Sequence, residues 1–307
     1  MTGAPGAGTA LRVLVTGGAG FIGRHVVRAL QERGHEVTVV DRVRSADDVP
    51  GVVGDLCDPA VQESAVVAGT DAVVHLAAQT SVLGSIARPV LVHRTNVEAT
   101  AGLLERVREC SVGCFVLAST NAVVGPVEGT ITESLPLRPL TPYGATKAAA
   151  EMLLSGYSGA YVIRTPALRL TNVYGPGMHH KDSFVPRLLR AAANDDGVDV
   201  YGDGEQRRDL VHVSDVARAF AGAVQGWPSG PVIVGGGRSY TVNDLTAAAR
   251  EVTGRAIPAR QVPAQTGEMR AVEVDLSRAR ELGYRPTTGL HEGLASVWPE
   301  FDPGNRP

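Results

Sequence analysis

The chain has 307 residues, of which 44% are hydrophobic and 20% are charged, and its formal net charge is −3. This length suits one large α/β unit with a smaller second lobe, and the apolar fraction is sufficient for a packed core. The small negative charge argues against general binding to nucleic acid or to an anionic membrane surface. No apolar run reaches the ~18 residues of a transmembrane helix, so we expect no membrane and no nucleic-acid partner.

Two further features bear on the compartment. Residues 1–10 lack the basic and apolar regions of a signal peptide, and we expect them to form a flexible leader. The three cysteines, Cys57, Cys110 and Cys114, have no secretory context, and a C-x-x-x-C spacing without histidine partners is a poor metal site. We therefore expect free thiols, a cytoplasmic location and no metal.

The first element is a short β-rich run at residues 11–16, followed by a glycine turn and a helical pattern through Arg33. The turn carries glycines at Gly17, Gly20 and Gly23. A strand, a glycine turn and a helix in this order are typical of a dinucleotide-binding fingerprint. Glycine lets backbone amides approach a pyrophosphate, and the helix N-terminus favours an anion.

A second predicted strand, residues 36–40, ends in Asp41. This acid follows Gly23 by 18 residues, close to the ~20 typical of a carboxylate that accepts the adenosine ribose hydroxyls. A carboxylate there repels a 2′-phosphate, so the sequence favours NAD over NADP. The adjacent Arg42 could tolerate that phosphate and leaves NADP as the alternative.

Strand and helix patterns then alternate along the chain. Near-continuous apolar strands separated by helices predict a parallel sheet that is covered on both faces. After Leu170 the pattern becomes irregular, which indicates a smaller lobe. The predicted strands lie at residues 52–56, 72–76, 114–118 and 161–169, and the predicted helices at 89–110 and 142–158.

These patterns predict an α/β fold with a Rossmann-type doubly wound parallel sheet and a smaller C-terminal substrate-binding lobe. The nucleotide-binding domain should span residues 11–169, with returning segments near 211–235. Residues 170–210 and 236–307 should form most of the lobe.

Tyr143 and Lys147 stand four residues apart at the start of a predicted helix, with Pro142 in its first turn. Residues at this spacing share one helix face. An ammonium beside a phenol stabilises the ionised phenol. Lys147 is also one of only two lysines in the chain, the other being Lys181. The spacing is a weak signal by itself, and the glycine turn at the N-terminus strengthens it.

With these residues in place, the chain resembles the extended short-chain dehydrogenase/reductases, and within them the NAD-dependent nucleotide-sugar epimerase/dehydratase branch. The resemblance covers residues 12–294, and its motifs occur in the order found in that family. The matching segments are residues 16–23, 54–56, 75–79, 96, 119–120, 143–147, 169–176 and 202–209.

The resemblance implies NAD as the cofactor and assigns a role to each matching position. Tyr143 is the implied acid/base, Lys147 holds the nicotinamide ribose, and Thr120 hydrogen-bonds the reacting sugar hydroxyl. Asn96 supports the lysine from behind. The cofactor-binding residues are then Gly17, Gly20, Phe21, Ile22, Gly23, Asp41, Arg42, Asp55, Leu56, Leu76, Ala77, Ala78, Asn96, Ser119, Tyr143, Lys147 and Leu170.

The same resemblance implies a site for a nucleotide sugar, most readily a UDP-sugar. Arginine and asparagine side chains are expected to hold its diphosphate, since a planar guanidinium suits that anion. Arg270 is a candidate substitute for an arginine that the family has where this chain has Gln265. The implied substrate-binding residues are Thr120, Tyr143, Asn172, Val185, Tyr201, Arg208, Glu268 and Arg270.

Departures from the family pattern favour one reaction among several. Sugar 4,6-dehydratases of this family carry Asp-Glu directly after the Ser/Thr, and decarboxylases usually carry a glutamate at the second of these positions. This chain has Asn121 and Ala122 there, and alanine cannot transfer protons. We therefore expect an epimerase acting at C4 of a UDP-hexose or UDP-hexuronate.

Other functions stay open at this point. The alternative enzyme is a nucleotide-sugar ketoreductase or dehydrogenase, followed by a dehydratase or decarboxylase, and the remote alternative is a non-catalytic NAD-binding regulator. The resemblance also implies a homodimer formed through the helix at residues 89–110 and the helix that carries Tyr143.

Overall fold

The computed structural model describes residues 9–45, 49–263, 272–302 and 304. The predicted leader, residues 1–10, therefore lies almost entirely outside the described residues. The chain divides into two compact units. The first unit comprises Met1–Gly125, Pro136–Arg169 and Ala217–Val232, and the second comprises Pro126–Leu135, Leu170–Val216 and Ile233–Pro307.

The described residues form fourteen strands and eleven α-helices. The strands are β1 Arg12–Thr16, β2 Glu36–Asp41, β3 Gly51–Val53, β4 Ala72–His75, β5 Cys114–Thr120, β6 Thr130–Ile131, β7 Pro166–Leu170, β8 Asn172–Tyr174, β9 Val198–Tyr201, β10 Arg207–His212, β11 Gly230–Val234, β12 Ser239–Thr241, β13 Ala259–Val262 and β14 Glu273–Val274. The helices are α1 Phe21–Gln31, α2 Pro59–Ala65, α3 Val82–Ala87, α4 Pro89–His93, α5 Ala99–Glu109, α6 Pro142–Ala160, α7 Phe184–Ala193, α8 Val213–Gln225, α9 Val242–Thr253, α10 Ser277–Glu281 and α11 Leu290–Val297.

A seven-stranded parallel sheet forms the centre of the first unit, in the order β11-β7-β5-β4-β1-β2-β3. Strand β1 pairs with β2 on one side and with β4 on the other, and Val13 lies opposite Val37 and Ala72. The strand order thus reverses beside β1, which is the switch point where α/β sheets bind ligands. The predicted Rossmann-type sheet is confirmed.

One core cluster of the first unit joins the sheet to its covering helices. Leu14, Val73 and Phe115 of the sheet are buried in it together with Leu103 of α5 and Leu154 of α6. Full burial of a leucine or phenylalanine side chain contributes about 1.5–3 kcal/mol. The sheet is therefore held rigidly, and so are the residues at its strand ends.

The second unit is built on small sheets and helices. A three-stranded sheet has the order β12-β10-β8, and two further pairs join β13 to β9 and β14 to β6. Helix α9 packs against both α7 and α11. It begins with a capping box between Thr241 and Asp244 and ends at Gly254 in the left-handed conformation.

Three local features differ from the sequence prediction. The predicted helix at 89–110 is interrupted by a π-helical turn, Arg94–Glu98, between α4 and α5. Helix α6 continues to Ala160, so the strand predicted at 161–169 begins only at Pro166. Within the predicted returning segment, residues 217–232 belong to the first unit, whereas residues up to 216 belong to the second.

Gly23 offers a direct test of the glycine turn. A Cβ at this position would lie 2.1 Å from the Gly17 carbonyl oxygen and 2.7 Å from the Gly18 Cα. Because backbone atoms cannot yield locally, Gly23→Ala should lower the free energy of unfolding by about 1–3 kcal/mol and weaken NAD binding. Chemical denaturation and NAD titration measure the two effects.

Gly156→Ala is the matched control, because a Cβ there meets no atom within 4 Å and the position is in the exposed part of α6. This control should gain about 0.5–1 kcal/mol of stability, since alanine is the better helix former. Equal stability of Gly23→Ala and the parent protein would contradict the proposed close packing of the turn.

Candidate active site

The strands of a parallel sheet present their carboxyl ends at one edge. At this edge of the first unit β1 ends in Thr16, β2 in Asp41, β4 in His75 and β5 in Thr120. The sequence predicted functional residues at or just after each of these strand ends. The topology therefore brings them to the same side of the sheet, at the switch point beside β1.

The glycine turn has the geometry of an anion-binding loop. Gly17 has φ of +70°, and a Cβ there would lie 2.8 Å from the Ala77 backbone nitrogen. Gly20 caps α1 without a side-chain hydrogen bond, and the first turn of α1 contains no acidic residue. The first amides of α1 are thus left to a ligand, as a dinucleotide pyrophosphate requires.

Asp41 ends β2, and Asp55 follows the neighbouring strand β3. The Asp41 carboxylate accepts a hydrogen bond from the Ala19 backbone amide at 3.0 Å, which ties it to the glycine turn. Asp55 accepts one from the Cys57 amide at 2.9 Å. This bond lowers the pKa of Asp55, and the nearby charge of Arg42 acts in the same direction. Leu56, predicted beside the adenine, is buried in the core cluster.

A buried chain of hydrogen bonds runs through His75. The Thr16 hydroxyl lies 2.7 Å from His75 Nδ1 and accepts from the Ala77 amide at 3.1 Å. His75 Nε2 lies 2.9 Å from the Thr100 hydroxyl, which donates to the Asn96 carbonyl oxygen. Each donor has one acceptor if His75 is neutral and protonated on Nε2. Burial lowers the pKa of His75 to about 3, which keeps it in this form.

The π-helical turn positions the Asn96 side chain. Its Oδ1 accepts from the Gln79 amide at 2.8 Å, and its Nδ2 donates to the Gln79 carbonyl oxygen at 3.0 Å and to the Thr146 hydroxyl at 3.1 Å. Thr146 directly precedes Lys147 in α6. Asn96 therefore anchors the loop after β4, which carries Leu76, Ala77 and Ala78, to the helix of the predicted acid/base.

Helix α6 begins at the predicted catalytic pair. Thr141 caps it by accepting from the Gly144 amide, and Pro142 occupies its first turn. Gly144 is required for close packing, because a Cβ there would lie 2.7 Å from the Ala122 carbonyl oxygen. Tyr143 is thereby held against the turn that follows β5.

The titration behaviour of this pair differs from the sequence expectation. Burial raises the pKa of Tyr143, and a hydrogen bond with Thr120 partly opposes this effect. Burial also lowers the pKa of Lys147 to about 8, while Glu151 acts in the opposite direction. The phenolate is therefore disfavoured in the ligand-free protein, because burial penalises both charges.

The sequence analysis missed a buried ion pair behind Lys147. Glu151 accepts hydrogen bonds from the Arg169 guanidinium at 2.7, 3.0 and 3.2 Å. Its carboxylate also accepts from the Ser119 hydroxyl. Ser119, predicted to bind the cofactor, thus directs its hydroxyl to Glu151. The available signal was a glutamate four residues after Lys147, on the same face of α6.

Asn121 is a second residue that the site assignments omitted. It is 8% exposed, and among the described residues neither its Oδ1 nor its Nδ2 has a hydrogen-bond partner. An unpartnered buried polar group costs about 1–3 kcal/mol.

The predicted substrate residues of the second unit that the structure describes lie on four elements. Asn172 and Arg208 stand on the neighbouring strands β8 and β10, and Asn172 Nδ2 donates to the Asp209 carbonyl oxygen at 3.1 Å. Val185 is buried on α7, and Tyr201 ends β9. Glu268 and Arg270 lie outside the described residues.

Comparison with known proteins identifies the family of this chain. The model of the NAD dependent epimerase/dehydratase family matches residues 13–235. The chain belongs to this family. Its cofactor is accordingly NAD, and the glycine turn, Asp41 and Lys147 fit that group, since they provide open amides, a carboxylate and a buried ammonium.

The relatives differ from one another in the reaction that their names state. The chain is 34% identical to a dTDP-glucose 4,6-dehydratase of Streptomyces niveus, over 94% of this chain and 91% of the relative. The UDP-glucose 4-epimerase of Thermotoga maritima, solved with UDP-glucose, is 33% identical with a TM-score of 0.89, over 94% of this chain and 97% of that one. MoeE5, solved with UDP-glucuronic acid and NAD, is 37% identical with a TM-score of 0.85, over the same shares of both chains.

The described residues also bear on membrane and metal binding. In the described part of the chain, no helix is long and apolar enough to cross a membrane. No group of three or more His, Cys, Asp and Glu residues in that part could hold a metal ion.

The ion pair between Glu151 and Arg169 predicts a strong energetic coupling. Arg169→Met should lower the free energy of unfolding by about 3–5 kcal/mol, because it leaves the Glu151 carboxylate buried without its partner. The double variant Glu151→Leu/Arg169→Met should lose much less than the sum of the two single variants. Urea denaturation of all four proteins completes the cycle, and strictly additive losses would contradict the coupling.

Lys147 predicts a pH dependence of stability in NAD-free protein. Its pKa is lowered to about 8 in the folded chain, against about 10.4 for an unfolded lysine. The unfolded chain therefore binds more protons between these values, and stability should rise with pH across this window. Lys147→Met should lack that rise in denaturation experiments at pH 7 to 10. Parallel curves for the two proteins would show that the ammonium is not desolvated.

Proposed function

We propose that the protein is an NAD-dependent epimerase that inverts C4 of a UDP-hexose or UDP-hexuronate through a transient keto-sugar. The observation that carries this proposal is the arrangement of Thr120 and Tyr143 beside buried Lys147, followed by Asn121 and Ala122. This arrangement offers one proton-transferring group to the sugar and no acid–base pair directly after Thr120.

The chemistry divides between cofactor and protein. When bound, NAD would supply the hydride acceptor for oxidation of the sugar carbon, and its reduced form would supply the hydride for the return step. Tyr143 takes the proton of the C4 hydroxyl and returns it after the keto-sugar has rotated in the site. Thr120 orients that C4 hydroxyl by a hydrogen bond of its own. The Thr120 side chain also hydrogen-bonds Tyr143. Lys147 supplies a positive charge that favours the phenolate once the site is assembled.

The substrate must be held by groups remote from C4, so that the keto-sugar can rotate without leaving. Arg208 and Asn172 of the second unit are the proposed partners of the diphosphate. A planar guanidinium can donate two parallel hydrogen bonds to phosphate oxygens. Val185 and Tyr201 are the proposed contacts of the nucleotide base and ribose.

A 4,6-dehydratase is the second candidate, and the identity with the Streptomyces niveus enzyme favours it. Elimination of water needs an acid and a base in addition to the tyrosine. Ala122 can serve as neither, and the amide of Asn121 does not titrate. The side chains thus favour the epimerase.

We further propose a cytoplasmic homodimer. Large apolar side chains remain exposed along α3, α4 and α6, which pack against one another in the first unit. A second copy of the same surface would cover them. These residues are Val82, Leu83, Ile86, Val90, Leu91 and Met152.

A panel of UDP- and dTDP-sugars, incubated without added NAD(P)H, tests the reaction, with products resolved by NMR. We expect interconversion of C4 epimers by protein that retains its NAD. Formation of a 4-keto-6-deoxy sugar would instead show a dehydratase. Turnover that requires added NADPH and a keto-sugar would show a ketoreductase.

Tyr143→Phe is the diagnostic variant for the panel. It removes the phenolic proton carrier while keeping the ring, so turnover should fall by about 10²–10⁴-fold. NAD should remain bound, because the glycine turn and Asp41 are unchanged, and cofactor release followed by absorbance measures this. Full activity of Tyr143→Phe would show that another group transfers the proton.

A further inference from the structure

A buried carboxylate lies behind the predicted catalytic pair of α6. Glu151 follows Lys147 by four residues, a spacing that places their Cβ atoms ~6 Å apart on one helix face. Both residues are buried, with exposures of 8% and 3%. Opposite charges that are shielded from water interact more strongly than an exposed pair does. Glu151 therefore places an effective negative charge beside the ammonium of Lys147.

The central sheet fixes the position and the charge of this carboxylate. Arg169 of β7 donates hydrogen bonds to it at 2.7, 3.0 and 3.2 Å, and the Ser119 hydroxyl of β5 donates another. A guanidinium does not deprotonate in proteins, so Arg169 holds Glu151 in the ionised form. Because β5 and β7 are neighbours in the seven-stranded sheet, the carboxylate cannot turn away from α6 without breaking these bonds.

In the described part of the chain, the other titratable groups around Lys147 do not supply this negative charge. His75 of β4 faces the lysine, and burial together with the charge of Lys147 lowers the pKa of His75 to about 3, so its ring is neutral. Cys114 stands at the end of β5 remote from Thr120, and burial raises its pKa to about 11. The acidic and basic residues of α5 pair with one another within that helix. The exposed charged residues of α4 and the π-helical turn are His93, Arg94 and Glu98.

We propose that Glu151 is a positioning residue for the reaction, because its fixed carboxylate keeps the proton on Lys147 and so makes Tyr143 the group that becomes the base. This inference rests on the proposed function, since it takes Tyr143 as the residue that exchanges a proton with the sugar. Glu151 does not contact the sugar in this proposal. It acts through Lys147.

The reason is that Tyr143 and Lys147 titrate as a pair. After the loss of one proton, the pair is either a phenolate beside an ammonium, which can accept the sugar proton, or a phenol beside an amine, which cannot. Burial of both side chains favours the second, uncharged form. Glu151 is one helical turn from Lys147 but two turns, ~12 Å along the axis, from Tyr143. Its charge therefore acts mainly on the ammonium and favours the first, active form.

Tyrosinate absorbance provides the first arm of the test, because it does not depend on which sugar is the substrate. In NAD-loaded protein, the difference between each protein and its Tyr143→Phe counterpart across a pH titration reports the Tyr143 phenolate. Glu151→Gln should reduce this signal, since the proton then leaves Lys147 instead. The control Glu251→Gln removes the same charge from an exposed position of α9, where water screens it, and should leave the signal unchanged.

Stability of the NAD-free protein provides the second arm. Glu151 opposes the effect of burial, which lowers the pKa of Lys147 to about 8, so Glu151→Gln should lower that pKa further. The value of about 10.4 in the unfolded chain is unchanged. The folded variant thus releases the lysine proton at a lower pH than the parent. Its stability should begin to rise with pH earlier than that of the parent when both are denatured across this range.

Turnover provides the third arm. Glu151→Gln should lower kcat about ten- to a hundredfold, less than Tyr143→Phe does because the phenol is still present, and should leave KM unchanged. Glu151→Asp keeps the charge and should regain part of the lost kcat. The double variant Glu151→Leu/Arg169→Met removes the ion pair without leaving a buried unpaired charge. It should keep a low kcat although its fold is more stable than that of the single variants.

Several outcomes would overturn the inference. Equal tyrosinate signals in the parent and Glu151→Gln would show that Lys147 keeps its proton without Glu151. Full activity of the stable double variant would make the ion pair a purely structural feature. If Glu151→Gln does not fold, the double variant takes its place in the absorbance and stability arms. If the parent converts no sugar of the panel, the proposed function fails, while these two arms still decide whether Glu151 controls the proton of Lys147.

Discussion

The site depends on the burial of charged side chains along one face of α6, where Tyr143, Lys147 and Glu151 stand at successive four-residue intervals. Lys147 and Glu151 are both buried, with exposures of 3% and 8%. Buried charges are tolerated only where each has compensating partners. Glu151 is compensated by Arg169 and Ser119, and its negative charge in turn opposes the loss of the proton from Lys147. Removing one of these charges therefore changes the environment of all the others.

A second buried network, centred on His75, is satisfied by hydrogen bonds between uncharged groups. His75 is neutral and links the Thr16 hydroxyl of β1 to the Thr100 hydroxyl of α5. In this chain each donor faces one acceptor. Protonation of His75 would add a proton at Nδ1, which would then face the donating Thr16 hydroxyl. This arrangement fixes the loop after β4, on which the cofactor contacts are predicted, without any charged group.

Much of the fold follows from local sequence. The glycine turn, the apolar strands and the acid after β2 predict a nucleotide-binding sheet, and the structure has its strands in the corresponding places. The interruption of the predicted helix at 89–110 was not foreseen, because π-helical turns are rare and occur mostly as single turns inside α-helices. Within this turn the Asn96 side chain bonds Gln79 and Thr146, which are distant in the chain.

The sequence by itself determined the sheet, the cofactor class and the Tyr143–Lys147 pair, because glycine spacing, strand hydrophobicity and helical spacing are local properties. Only the tertiary structure showed that Glu151 pairs with Arg169 and that the Asn121 amide is buried without a hydrogen-bond partner among the described residues. It also showed that the pKa of Tyr143 is raised in the ligand-free protein. These properties arise from burial and from contacts between residues far apart in the chain, which no local pattern specifies.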